Sequence, residues 1–312
     1  MHKLFYTLRT HYPSHFKSTI SLSVPVIVAQ LGLVLMGVID NMMIGDIGYE
    51  FLSAASLANS IYFILTVIGI GITFAISALV AEADASEKLH MCGRYLGQGI
   101  WVSIITAIIL GLLVWIATLV LPYMNQPEQD VILATPYLRI LAVSILPMLL
   151  FLAFKQFSDG LSLTRPAMYI TLAGLGFNTL ANWLLIYGNW GFPRLELIGA
   201  GYGTLASRIF MMILIIGYIL GSSRFSRYKL TSHIWKFHFP TIAKIVRIGL
   251  PSGMQYFFEV GAFGGAVLMI GLIGTVERSA HQIVISMASI TYMVTTGFAA
   301  GAAIRVGNAL GR

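Results

Sequence analysis

The chain has 312 residues, of which 57% are hydrophobic and only 10% are charged, and its mean hydropathy is +0.84. Soluble globular domains carry about 25% charged residues, so this composition excludes a soluble globule and predicts an integral membrane protein. The net charge of +7 does not indicate nucleic-acid binding, because the basic residues are dispersed among short connectors between apolar segments.

Eight apolar segments follow one another along the chain, each with roughly the length that a bilayer requires. A hydrocarbon core about 30 Å thick is crossed by about 20 helical residues. We therefore predict an all-α integral membrane protein, a polytopic bundle of transmembrane helices. The predicted spans cover residues 18–44, 51–80, 95–121, 131–154, 166–188, 197–221, 246–273 and 279–306.

The same motif is written twice, in residues 20–80 and 246–306, at an ungapped offset of 226. Six predicted spans separate the starts of the two copies, so both copies cross the membrane in the same direction. A parallel repeat about an axis along the membrane normal is typical of the two halves of a transporter that enclose a central cavity. Identical residues at this offset include Pro25 and Pro251, Gly45 and Gly271, Ser53 and Ser279, and Gly71 and Gly297.

The repeat also predicts the domain organisation. Residues 1–221 form an N-terminal six-helix lobe, residues 222–245 a basic cytoplasmic linker, and residues 246–312 the first two helices of a C-terminal lobe. Two parallel six-helix repeats would make a protein of about 447 residues and twelve helices. We therefore expect this chain to contain eight of these twelve helices. The repeat predicts that the chain is truncated at its C-terminus.

The distribution of Lys and Arg predicts the orientation. With a cytoplasmic N-terminus, fifteen basic residues lie on the cytoplasmic side, and the opposite side keeps only four. Positive charge collects on the cytoplasmic side of membrane proteins, so we predict a multi-pass protein with its N-terminus in the cytoplasm. The four residues assigned to the outer side are Arg139, Arg194, Arg208 and Arg278.

Two carboxylates fall inside predicted spans, Asp40 in the first and Glu259 in the seventh. An acidic side chain at the centre of a bilayer costs at least about 2.5 kcal/mol, so its presence there usually has a functional reason. Asp40 lies five residues before Gly45, and an alternative is that it already reaches the outer interface. Glu259 lies about ten residues from either end of its span, which favours a functional role.

Four polar amides accompany these acids. Asn178 and Asn182 share one face of the fifth span, where they could hydrogen-bond another helix or offer carbonyl oxygens to a hard cation such as Na⁺, with Asp40 supplying the negative charge. Gln30 and Gln255 could line a cavity or bond a neighbouring helix. The sequence leaves each of these alternatives open.

Several of these motifs together resemble the multidrug and toxic compound extrusion (MATE) family, in its NorM-like branch. The resemblance covers essentially the whole chain. It rests on the spacing of Pro25, Gln30, Asp40 and Gly45 and on the segments KQFSDGLSLTRP, FNTLANWLLIYG, GLPSGMQYFFEVG and SAHQIVISMASITYMVTTGFAAGAAIRVGNALG.

The resemblance implies a two-lobed, twelve-helix antiporter that works by alternating access in the cell (inner) membrane. It implies export of cationic or amphipathic organic compounds, driven by Na⁺ or H⁺, by a monomer that contacts membrane lipid, binds no nucleic acid, needs no other cofactor and is not an enzyme. Asp40, Asn178 and Asn182 would form the cation or proton site of the N-terminal lobe, and Glu259 the acidic site of the C-terminal lobe.

Three other functions are alternatives for this sequence. A flippase for lipid-linked oligosaccharide or polysaccharide precursors would need several intramembrane Arg or Lys residues to hold a pyrophosphate, and few are apparent. A membrane transferase would need a polar cluster near one interface, and His281 has no such neighbours in the sequence. A truncated, inactive membrane protein is the third alternative.

Overall fold

The computed structural model describes residues 2–228, 230 and 237–311. Within these ranges the chain forms long α-helices joined by short turns, and it contains no β-strand. The predicted fold class is confirmed. The helices are α1 (His2–Ile47), α2 (Tyr49–Ala85), α3 (Leu89–Val120), α4 (Glu128–Gly160), α5 (Thr164–Leu185), α6 (Glu196–Gly221), α7 (Phe239–Gly271) and α8 (Thr275–Gly311).

Each predicted span overlaps one of these helices, although most of the helices extend beyond the predicted ends. Seven of the eight are long and apolar enough to cross a membrane, and α5 is the exception in the described part of the chain. Helix α5 has 22 residues and carries Arg165, Asn178 and Asn182, which lower its hydropathy. Part of the predicted basic linker, residues 231–236, lies outside the described residues.

Local chemistry explains where the helices meet. Gly48 separates α1 from α2 with a φ of 150°, a conformation that glycine adopts without a steric penalty. Helix α7 begins after His238, whose ring nitrogen accepts a hydrogen bond from the Thr241 backbone at 3.3 Å. Pro240 stands in its first turn, where the missing N–H costs nothing.

Helix α2 lies at the centre of the bundle, in contact with α3, α4, α7 and α8. Small side chains line much of its buried surface, including Ala54, Ala55 and Ala58, none of which is exposed. Small residues let membrane helices approach closely. The core therefore forms around α2 and α4, and α5 closes one side of the bundle against α1 and α6.

The two copies of the repeat pack against each other reciprocally: α1 contacts α8, and α2 contacts α7. Gly71 of α2 lies so close to the backbone of Gly253 that a Cβ atom would overlap it, and Gly297 of α8 lies equally close to Ile27. Adding the offset of 226 to Gly71 and Ile27 gives Gly297 and Gly253, so these are the same contact made twice. Such reciprocity is the mark of a two-fold interface.

Helices α2 and α8 also meet directly. Ser56 Oγ donates a hydrogen bond to Gln282 Oε1 at 2.8 Å. Nearby, Ser279 Oγ donates to the backbone carbonyl of Tyr49 at 2.9 Å. Polar side chains therefore join the two copies at the end of the bundle that carries the turn at Gly48.

Candidate functional site: a buried carboxylate between α1, α5 and α6

Asp40 lies inside the protein, seven residues before the end of α1, or about 10 Å along the helix axis. Only 7% of its surface is exposed. Asn182 Nδ2 donates a hydrogen bond to Asp40 Oδ1 at 2.5 Å, and Thr204 Oγ1 donates to Oδ2 at 3.1 Å. Three helices therefore hold this carboxylate, and both of its hydrogen-bond donors are neutral.

The sequence of α5 and α6 explains how the amide reaches the carboxylate. Asn178 and Asn182 are one turn apart on the buried face of α5, and neither is exposed. A Cβ atom at Gly203 of α6 would overlap the side-chain oxygen of Asn182. Glycine at this position therefore leaves the space that the Asn182 amide occupies. We call Asp40, Asn178, Asn182 and Thr204 the Asp40 site.

Several polar atoms of the Asp40 site lack hydrogen-bond partners in the described part of the chain. They are both amide atoms of Asn178 and the Oδ1 atom of Asn182, and all three are buried. Buried polar atoms in proteins are nearly always bonded. A carboxylate, two amide carbonyls and a hydroxyl form the all-oxygen ligand set that hard cations prefer. The arrangement therefore has the chemistry to accept a cation or a proton.

Arg208 is a neighbour of the Asp40 site, and the count of basic residues by side had placed it with the four on the outer side of the membrane. It lies twelve residues into α6, one turn after Thr204. Its Nη1 atom donates to Tyr62 Oη and to Ser144 Oγ, both at 2.5 Å. Its guanidinium carbon lies 5.2 Å from the centre of the Tyr62 ring. The signal that could have identified it is its position midway along an apolar segment.

Glu259 is not part of the Asp40 site. It is half-buried on α7 and interacts with Tyr292 of α8 and Tyr256 of α7. The ring of Tyr256 packs on Phe74 of α2, with 5.7 Å between the ring centres. The structure therefore places the second intramembrane acid among aromatic side chains, between the two helices of the second copy.

The two glutamines differ in their surroundings. Gln30 accepts a hydrogen bond from Thr296 Oγ1 at 2.9 Å. This bond joins α1 to α8, which agrees with the alternative that Gln30 bonds a neighbouring helix. Gln255 is exposed on α7. Neither residue contributes a hydrogen bond to the Asp40 site.

A second buried aspartate, which the sequence analysis did not single out, lies at the Gly48 end of the bundle. Arg278 Nη1 of α8 donates to Asp130 Oδ2 of α4 at 2.7 Å, and neither side chain is exposed. Ser53 Oγ donates to the same carboxylate oxygen at 2.6 Å, and Gln126 bonds the guanidinium. We call these four residues the Asp130 cluster. The sequence analysis had counted Arg278 among the basic residues of the connectors.

In the part of the chain that the structure describes, no group of three or more His, Cys, Asp and Glu side chains could hold a metal ion. The fold is thus a polytopic helical bundle of an integral membrane protein, built on two parallel copies of one motif, with an oxygen-lined site among its first six helices. This is the architecture of a membrane transporter.

Comparison with known proteins identifies the family. The model of the MatE family matches residues 25–184 and 251–312, and the chain belongs to this family. It is 32% identical over 300 residues to the probable multidrug resistance protein NorM of Rhizobium meliloti (strain 1021). It is 28% identical, also over 300 residues, to the multidrug resistance protein NorM of Vibrio cholerae serotype O1 (strain ATCC 39315 / El Tor Inaba N16961).

A solved structure shares the fold. The crystal structure of the eukaryotic MATE transporter AtDTX14 superimposes with a TM-score of 0.86 at 21% sequence identity, and the match covers 96% of this chain and 66% of that one. The matches to the two NorM proteins each cover 96% of this chain, but only 64% of the Rhizobium protein and 66% of the Vibrio protein. The chain therefore spans about two thirds of the length of these relatives.

Proposed function

We propose that the protein exports cationic or amphipathic organic compounds in exchange for Na⁺ or H⁺, with the Asp40 site as the coupling site. The observation that carries this proposal is a buried carboxylate held only by neutral donors, beside three buried amide atoms without partners. Membership of the MatE family and the similarity to proteins named for multidrug resistance support it.

In this proposal the residues of the Asp40 site have different roles in binding a cation. Asp40 supplies the negative charge, and Thr204, Asn178 and Asn182 supply neutral oxygens. Asn182 presents its amide N–H to Asp40, and its carbonyl oxygen is unpaired. Binding of Na⁺ would turn this amide so that its oxygen faces the ion. A proton would instead add to the carboxylate itself.

Coupling to the exported compound would pass through α1. This helix carries Asp40 and also packs along α8 of the second copy, where Gln30 bonds Thr296. A change at the carboxylate can therefore alter how the two copies pack. If cation binding weakens binding of the compound, then the compound must weaken cation binding by the same factor.

Glu259 is proposed to bind a positive charge in the second copy. Its neighbours Tyr256 and Tyr292 offer aromatic faces, which attract organic cations. We further propose that the N-terminus is cytoplasmic, that the turn at Gly48 faces outward, and that the protein works as a monomer in the inner membrane. The number of basic residues on the side of the N-terminus supports this orientation.

The proposal is tested by changing Asp40→Asn in the full-length protein and measuring efflux of a cationic dye from cells. Loss of the charge is expected to abolish efflux driven by a Na⁺ or H⁺ gradient, with normal amounts of protein in the membrane. Asp46→Asn is the matched control, because Asp46 lies on the same helix but is exposed, with Tyr187 as its hydrogen-bond donor. Unchanged efflux in the Asp40 variant would contradict the proposal.

A further inference from the structure

Arg208 is a charged side chain within a membrane-spanning helix, and the proposed function does not use it. Such a position is costly and usually has a functional reason. Both hydrogen-bond partners of its guanidinium, Tyr62 and Ser144, are neutral hydroxyls. Its positive charge is therefore not cancelled by these contacts.

The carboxylate that interacts electrostatically with Arg208 is Asp40. The two residues are linked through α6, because Thr204 bonds Asp40 and Arg208 follows Thr204 by one turn on the same helix face. Two phenols face this pair from the other packed helices: Tyr62 of α2 bonds the guanidinium, and Tyr137 of α4 interacts with both charges.

We propose that Arg208 is a built-in cation that competes with the coupling cation for the Asp40 carboxylate, and so determines how tightly that cation binds. This inference rests on the proposed function. A positive charge nearby weakens the binding of a second cation, and the effect is stronger inside a protein than in water. Asp40 therefore attracts the cation strongly enough to bind it but weakly enough to release it.

Tyr62 and Ser144 determine the position of the Arg208 guanidinium in this competition. By binding the guanidinium, they keep Arg208 from forming a direct ion pair with Asp40. A direct pair would neutralise the carboxylate permanently, as Arg278 neutralises Asp130 at 2.7 Å. Held by two hydroxyls instead, Arg208 reduces the cation affinity of the Asp40 site without closing it.

The test compares Arg208→Gln, which removes the charge, with Arg208→Lys, which retains it. The full-length protein is reconstituted in lipid nanodiscs for binding of radioactive Na⁺, and in proteoliposomes for dye transport at varied Na⁺ and proton concentrations. Arg208→Gln is expected to lower the half-saturating concentration of the coupling cation about tenfold. Because Arg208→Lys keeps the positive charge, it is expected to stay within about threefold of the wild type.

Asp40→Asn, measured beside Arg208→Gln as a separate variant, separates this inference from the proposed function. If Asp40→Asn abolishes cation dependence but Arg208→Gln leaves the half-saturating concentration unchanged or raises it, the role of Arg208 is refuted and the coupling site stands. If Asp40→Asn retains the cation dependence of the wild type, the proposed function itself fails.

A second variant keeps the inference testable should Arg208→Gln not fold. Tyr62→Phe retains the ring and removes the hydroxyl that holds the guanidinium. The released Arg208 is then free to approach Asp40, so the half-saturating cation concentration is expected to rise about threefold or more. The two variants thus act in opposite directions. An unchanged or lower value for Tyr62→Phe would overturn the inference.

Discussion

Two buried aspartates in this protein are treated in opposite ways. Asp130 is bonded directly by Arg278 and by Ser53, and neither member of the ion pair is exposed. Asp40 is equally enclosed, but its hydrogen-bond donors are the neutral groups of Asn182 and Thr204. The first carboxylate is bonded to a cation within the protein, and the second has no cation among its hydrogen-bond donors. The nature of the hydrogen-bond partner, more than burial, distinguishes the two carboxylates.

The two carboxylates also differ in what they connect. The Asp130 cluster joins α8 of the second copy to α4, and Ser53 of α2 bonds the same carboxylate. The Asp40 site lies between α1, α5 and α6, all within the first six helices. The ion pair therefore links α8 of the second copy to the first six helices, whereas the hydrogen bonds of Asp40 stay within the first six helices.

Breaking the ion pair should have the largest effect on stability. Arg278→Gln leaves the Asp130 charge buried without its partner, and we expect it to lower the free energy of unfolding by about 3–5 kcal/mol. Thermal unfolding in detergent measures the change. Removing the unpaired charge with Asp130→Asn in the same variant should recover most of the lost free energy of unfolding.

A matched control comes from the exposed pair Arg194 and Glu196, whose side chains are 60% and 41% exposed. Arg194→Gln should change the unfolding free energy by less than about 1 kcal/mol, because solvent screens such pairs. Equal losses at Arg278 and Arg194 would show that the Asp130 cluster is not a structural contact.

For the Asp40 site, the expected effect is on the stabilisation of the folded protein by a bound cation. A cation that binds only the folded protein is expected to stabilise it by about 2.7 kcal/mol at one hundred times its dissociation constant. Asp40→Asn should abolish this stabilisation, and Asp130→Asn should leave it intact even though it destabilises the protein. Thermal unfolding at increasing Na⁺, and separately at decreasing pH, measures the difference. Cation stabilisation that survives in Asp40→Asn would argue against the site.

A smaller effect on cation binding is expected at Gly203. A Cβ atom there would overlap the Asn182 oxygen, so Gly203→Ala should displace the amide and weaken cation binding about tenfold, which corresponds to about 1.4 kcal/mol. Cation-dependent dye efflux measures this change. Gly217→Ala on the same helix is the control, because nothing lies within 4 Å of the position its Cβ would take. Equal behaviour of the two variants would show that Gly203 does not shape the site.

Hydropathy and the repeat were enough to predict the helices, because each span must be apolar over its whole length. The cost of an intramembrane acid also identified Asp40 and Glu259, and helical spacing placed Asn178 and Asn182 on one face. The sequence could not show that α5 would carry these amides to Asp40, since 142 residues separate Asn182 from Asp40.

The basic residues were predicted less well for a physical reason. Arg208 and Arg278 were assigned to the outer side because the positive-inside rule counts charges by side and not by depth. Arg208 instead lies midway along α6, and Arg278 is buried in a pair with a residue 148 positions away. A long-range ion pair of this kind leaves no periodic signal, so only the packing of α4 against α8 reveals it.

Ser56 and Gln282 occupy the same position in the two copies of the repeat, 226 residues apart, and they touch. Two equivalent positions can be in contact only where the axis of the repeat passes between them. Any symmetrical opening of the Gly48 end would carry them away from that axis by equal and opposite amounts. The distance between residues 56 and 282 therefore measures the opening of the two copies without reference to any other point in the molecule.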